Sequence, residues 1–97
     1  MTNQETKLLQ ILKTIIEYVG ESVLFELNDE KIQATVTNRL NVIFKALQDS
    51  LVFNDFVVIC DGSNNNENVI KSNQLIITTA FQLNEDAQFT MINVVIK

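Results

Sequence analysis

Residues 74–96 read QLIITTAFQLNEDAQFTMINVVI, and this stretch decides the fold. Leu75, Ile77, Thr79, Phe81 and Leu83 recur at every second position of Gln74 to Leu83, the period of a strand with one face on a core. The alternation returns from Gln88 to Ile96. There Phe89, Met91, Asn93 and Val95 fall on one side, with Thr90, Ile92, Val94 and Ile96 on the other. Asn84-Glu85-Asp86-Ala87 is a run of turn formers, so the two strands are expected to pair as a hairpin.

Working outward, Phe56 to Cys60 (FVVIC) is a further short β-rich run, and Asp61-Gly62-Ser63-Asn64-Asn65-Asn66 after it reads as a loop. The first half has a different period. Leu8, Leu12, Ile15 and Val19 recur at spacings of three and four, widened by Leu9, Ile11 and Ile16, which predicts a helix over about residues 4–19. Thr2 and Glu5 have capping-box spacing, and Gly20 is placed to end that helix in a left-handed conformation. SVLFEL at 22–27 reads as a short extended piece. Asn28 or Asp29 then caps a second helix with the stripe Ile32, Val36, Leu40, Ile43, Leu47 and Leu51. Asn38, Asn41, Lys45 and Gln48 lie opposite it.

The order is helix, short strand, helix, then a β-meander. That is an α+β fold: two helices packed on a small, mainly antiparallel sheet of three to four strands with open edges. Ninety-seven residues without proline or low-complexity linkers make a single domain over 1–97. Such a domain buries roughly 65% of the surface its unfolded chain exposes, so it gains from assembly with partners.

Composition excludes several functions. Twelve acids against seven bases give a net charge of −5. Lys7, Lys13, Lys31, Arg39, Lys45, Lys71 and Lys97 are scattered, whereas nucleic-acid and anionic-lipid binding need clustered cations. Cys60 is alone and histidine is absent, so neither an internal disulfide nor an ordinary zinc or haem site is expected, and no cofactor. No run reaches the roughly 20 apolar residues of a membrane span. Met1 to Glu5 lacks a signal peptide's pattern, so synthesis and retention in a reducing compartment are expected.

Catalysis finds no foothold. Cys60 has no histidine partner and sits in an apolar run, as a buried structural thiol does. Asp29/Glu30 is helix-end chemistry and Glu85/Asp86 a turn, rather than an acid–base pair. Asp61 to Glu67 offers oxygen ligands, but its glycine stands second, where a calcium-binding EF-hand loop needs it sixth. Phe25, Phe44, Phe53, Phe56, Phe81 and Phe89 lie mostly on apolar faces, so core packing explains them before base stacking. The chain is read as a non-enzyme.

The final strand is the informative feature. FTMINVVIK carries one charge, at its very end, and no proline, so nothing in it blunts a sheet edge. Such a strand either pairs with a neighbouring chain or sits in the middle of its own sheet.

The motifs favour the first reading. LLQILKTIIEYVGES leading into VLFELND, then FVVICDGSNN, Ile70, NQLIITTAFQL and the ending AQFTMINVVIK follow one another in order from Lys7 to Lys97. In order, spacing and coverage the chain resembles the carboxyl-terminal domain of contractile-tail sheath proteins, found in myophage tails, R-type pyocins and related injection systems. It departs from that pattern at Leu27 and Asn73, where the family has proline and glycine, and at Asn84 to Gln88, where the family's approach to the last strand contains proline. The larger sheath domains and the amino-terminal arm have no counterpart, so a small relative using only the connecting domain is expected.

The resemblance implies a structural component of a contractile injection tail: a sheath initiator, baseplate adaptor or sheath-end protein. It would join neighbouring subunits by β-strand augmentation through Leu75, Ile77, Thr79, Phe81, Phe89, Met91, Asn93 and Val95. Its partners would be tail sheath, baseplate or tube proteins in a multimeric assembly, with no nucleic acid and no membrane. It would reside in a virion tail or tail-like particle put together in the bacterial cytoplasm. Lys31, Arg39 and Lys45 would meet an acidic tube or baseplate surface, against the simpler reading of a solvated helix face. The rival from another class is a small acidic phage inhibitor that mimics nucleic-acid charge. That rival needs the acids on one surface.

Overall fold

Thr2 opens the first helix as its spacing predicts. In the computed structural model, which describes residues 2–24 and 26–97, the Thr2 hydroxyl accepts from the Glu5 N–H at 3.1 Å and the Glu5 carboxylate accepts from the Thr2 N–H at 3.0 Å. This reciprocal cap starts α1, Asn3–Glu21. Asp29 accepts from the Ile32 N–H at 2.9 Å and starts α2, Glu30–Asp49. There follow β1 (Asp55–Ile59), a short α3 (Glu67–Lys71), β2 (Leu75–Gln82) and β3 (Phe89–Ile96). The fold is α+β, with three helices and one open three-stranded sheet among the described residues.

The sheet runs β1-β2-β3, antiparallel throughout, with Val57 opposite Ala80 and Ala80 opposite Met91. Leu75, Ile77, Thr79 and Phe81 are buried on β2, and Val94 and Ile96 join them from β3. Against that face α1 sets Leu12, Ile16 and Val19, and α2 sets Val36, Leu40 and Phe44. Phe44, Phe53, Phe56 and Phe81 meet edge to face, with Phe44 and Phe81 centroids 5.0 Å apart. The other sheet face exposes Val57, Ile59, Met91 and Val95.

Several expectations change. Gly20 lies inside α1 in ordinary helical conformation, and Ser22 caps the helix. A Cβ there would fall 2.6 and 2.8 Å from two Ile96 side-chain carbons and 3.1 Å from one of Ile77, so glycine serves close helix–sheet approach. The extended piece expected at 22–27 is a set of tight turns, with the Val23, Leu24 and Glu26 N–H groups each bonded three residues back. Phe25, within that expectation, lies outside the described residues. Of the other phenylalanines assigned to the core, Phe89 stands out 47% exposed on that other sheet face. Leu51, assigned to the α2 stripe, follows the helix end and is 89% exposed. The polar loop also holds α3, which Asn66 caps by accepting from the Val69 N–H at 3.1 Å.

Candidate interaction edge on the third strand

Which backbone groups reach an edge follows from one side chain. The Asn65 amide accepts from the Ile76 N–H at 2.8 Å and donates to the Ile76 C=O at 2.9 Å, so both groups of Ile76 face the β1 side. Successive residues of an antiparallel strand turn these groups to alternate sides. Thr78, Ala80 and Gln82 therefore also face β1, and there the Gln82 C=O accepts from the Asn54 N–H at 2.8 Å. Leu75, Ile77, Thr79 and Phe81 face β3, opposite Ile96, Val94, Ile92 and Thr90. On β3 the other four residues, Phe89, Met91, Asn93 and Val95, turn N–H and C=O outward. Among the described residues no hydrogen bond reaches those outward groups.

The opposite edge is blunted. β1 has only five residues. The Asp55 carboxylate accepts from the Phe56 N–H at 2.8 Å, and the Thr37 hydroxyl donates to the Cys60 C=O at 3.1 Å. β3 by contrast runs eight residues without a charged side chain. Beside its edge Thr6, Leu9, Gln10 and Lys13 of α1 and residues 90–93 of β3 line a groove of about 350 Å³. The groove and the Thr37–Cys60 bond were hidden from sequence, because both arise where α1 and α2 cross the sheet.

The residues expected to pair between subunits thus divide. Phe89, Met91, Asn93 and Val95 are brought together on one open edge. Leu75, Ile77, Thr79 and Phe81 are not: β2 is the central strand, its backbone engaged on both sides, and these side chains lie in the core. That half of the expectation is corrected, because a meander of three strands leaves only its outer two with an edge.

Lys31, Arg39 and Lys45 do not converge. They spread over roughly 21 Å of helix axis at 1.5 Å per residue. Lys45 pairs with Asp49 at 3.2 Å, and Arg39 donates to the Ser22 hydroxyl at 2.9 Å. The acids lie on all three helices, on β1 and in several loops.

The Asp61 loop closes on itself. Its carboxylate accepts from the Ser63 N–H at 2.8 Å and from the Ser63 hydroxyl, and these bonds hold its pKa below the ordinary carboxylate value. Asn64 and Asn65 turn inward to main-chain carbonyls. Among the described residues no three His, Cys, Asp or Glu are placed to hold a metal ion. Burial, with the charge of neighbouring Asp61, pushes the Cys60 thiol up to about 12. No helix among the described residues is long and apolar enough to cross a membrane.

No protein-family model matches the chain, and no solved structure matches it significantly. It is similar to the tail sheath protein of Vibrio phage KVP40, 29% identical over 89 residues, which is 92% of this chain and 13% of that protein. The chain therefore spans about 13% of the length of the relative it matches. This similarity supports a structural role in a phage in general.

Proposed function

We propose that this chain is a structural component of a contractile phage tail, acting as a sheath initiator, baseplate adaptor or sheath-end protein. It joins a neighbouring subunit by accepting or donating a strand at the outer edge of β3. Four outward-facing residues, Phe89, Met91, Asn93 and Val95, offer four N–H and four C=O groups in a charge-free row. An added strand completes them all. The supporting observation is this contrast between an open β3 edge and a blunted β1 edge, in a chain similar over 92% of its length to a tail sheath protein. Main-chain pairing tolerates sequence change and is cooperative, so subunits tied this way stay joined while they rotate and slide.

The test is Met91→Pro. Proline removes an N–H that points away from β2, so the protein's own ladder keeps its bonds, while an incoming strand loses a donor and meets the ring. The variant is expected to fold by circular dichroism and to be lost from tail particles. Normal incorporation of folded Met91→Pro protein overturns strand pairing at this edge.

A further inference from the structure

One side chain in the outward row of β3 is held in a single orientation by a relay that starts at a main-chain N–H. The Asp61 N–H donates to the Asn64 side chain at 3.0 Å, so the atom it meets is Oδ1. The Asn64 Nδ2 then donates to the Ile59 C=O at 2.8 Å and to the Thr78 hydroxyl at 3.1 Å. That hydroxyl has one proton of its own, which it donates to Asn93 at 2.7 Å. A side-chain amide accepts only through its oxygen, so Asn93 turns Oδ1 toward Thr78 on β2. Among the described residues its Nδ2 has no acceptor.

With its oxygen committed to β2, Asn93 has only donors left for the open edge. Its companions in the outward row, Phe89, Met91 and Val95, are exposed and apolar. The row therefore reads apolar, apolar, donor, apolar. Main-chain pairing is indifferent to a slip of two residues, because such a slip keeps every side chain on its own face. A lone polar group in an apolar row is not indifferent. It is paired in one register and faces an apolar side chain in the next, and a single polar residue fixes register in other apolar contacts for this reason.

We infer that Asn93 sets the register of the strand added at the β3 edge, and that this strand carries a side-chain oxygen acceptor opposite Asn93 with apolar residues two before and two after it. The inference rests on strand pairing at β3 and names the chemistry of the segment that pairs. Asn93 turns its own N–H and C=O outward, so an antiparallel partner residue opposite it exchanges both main-chain bonds, with the two Cα atoms about 5.5 Å apart. Both side chains then lie on one face, close enough for Nδ2 to donate across. Thr78 and Asn64 are positioning residues, which decide that a donor and not an acceptor faces the edge. A cross-strand pair of this kind changes pairing by up to about fivefold. It selects register and partner, while the main chain supplies affinity.

Competition for places in the particle tests it. Wild type and a tagged variant are expressed together in cells producing tails. The variant's share in purified tails is divided by its share in the soluble lysate, with tagged wild type as the reference. Asn93→Leu keeps the side chain's size, adds no charge and raises apolar character, so apolar contact alone would enrich it. The inference expects instead a share about two- to fivefold below the reference. Asn93→Asp keeps the bond from Thr78 but sets an acceptor toward the partner's acceptor, and its share should fall at least as far. A share of either variant equal to or above the reference overturns the inference. Met91→Pro in the same competition separates the two readings. If it is excluded while Asn93→Leu enters freely, pairing at β3 stands and the role of Asn93 falls; if it enters freely, both fall.

Discussion

The side-chain amide of Asn65 takes the place of a strand residue opposite Ile76, accepting from its N–H at 2.8 Å and donating to its C=O at 2.9 Å. The β1–β2 register ends at Ile59 and Thr78. Two residues further it would set Asp61 opposite Ile76, but there the chain has turned away into its loop. Asn65, buried at 2% exposure, fills the gap and also bonds Asn28, Asn64 and the Asp61 C=O. Three segments, the 61–65 loop, the turn at Asn28 and β2, are tied at one amide.

Removing that amide leaves several buried groups without partners, each costing about 1–3 kcal/mol. Asn65→Ala should destabilise the fold by about 3 kcal/mol. Asn66→Ala, which loses one exposed helix cap, should cost about 1 kcal/mol. Asn65→Asp keeps the acceptor for Ile76 but turns a carboxylate toward two carbonyl oxygens. Its pKa is then raised in the folded state, so its deficit should be larger at pH 7 than at pH 4. Urea denaturation at both pH values checks all three.

Gly20 lies under Ile96 with no room for a methyl group. Alanine gains up to about 1 kcal/mol of helix propensity. Overpacking a close helix–sheet contact costs about 1–3 kcal/mol. The clash at 2.6 Å wins, so Gly20→Ala should lower stability. In a Gly20→Ala, Ile96→Ala double variant the two losses should fall short of their sum, because removal of the Ile96 side chain relieves the contact. Thermal melts of the four proteins supply the cycle.

Much of this fold was legible in sequence, and the failures share a cause. The strands at 75–82 and 89–96 and both long helices follow from periodicity, which their burial enforces. Thr2 and Asp29 announce their helices because caps act locally. Gly20 was misread because a glycine near a helix end looks the same whether it serves a left-handed turn or a close crossing. Leu51 continues the spacing from Leu47, and only the intervening helix end turns it outward. Asn66 gave a signal for α3 that was lost within a polar run. At the edge, Phe89, Met91, Asn93 and Val95 were legible as one side of a strand, whereas the central position of β2 depends on strand order.

Asp61 carries a pH signature. The Ser63 hydrogen bonds favour its ionised form and lower its folded pKa. The stability they contribute is present in full above the unfolded carboxylate value of about 3.9 and is lost as pH falls through the folded value. The advantage of wild type over Asp61→Ala should be level from pH 5 to pH 8 and shrink below pH 4. An unchanged difference down to pH 2 would remove the charged hydrogen bonds from the account.

Cys60 should be silent toward thiol reagents while the protein is folded. Burial raises its pKa to about 12, which leaves almost no thiolate at pH 8. Reaction with a maleimide should be slow in buffer and complete in denaturant. Rapid labelling of the folded chain would contradict the packing of the β1 end against α2.

Amide hydrogen exchange along β3 tests the central claim most directly. In the free chain Thr90, Ile92, Val94 and Ile96 should be protected and Phe89, Met91, Asn93 and Val95 should exchange fast, an alternation set by the direction of each N–H. In assembled particles, quenched and dissolved for measurement, the second set should become protected and the alternation should vanish. An alternation that persists unchanged in the particle would contradict strand pairing at this edge.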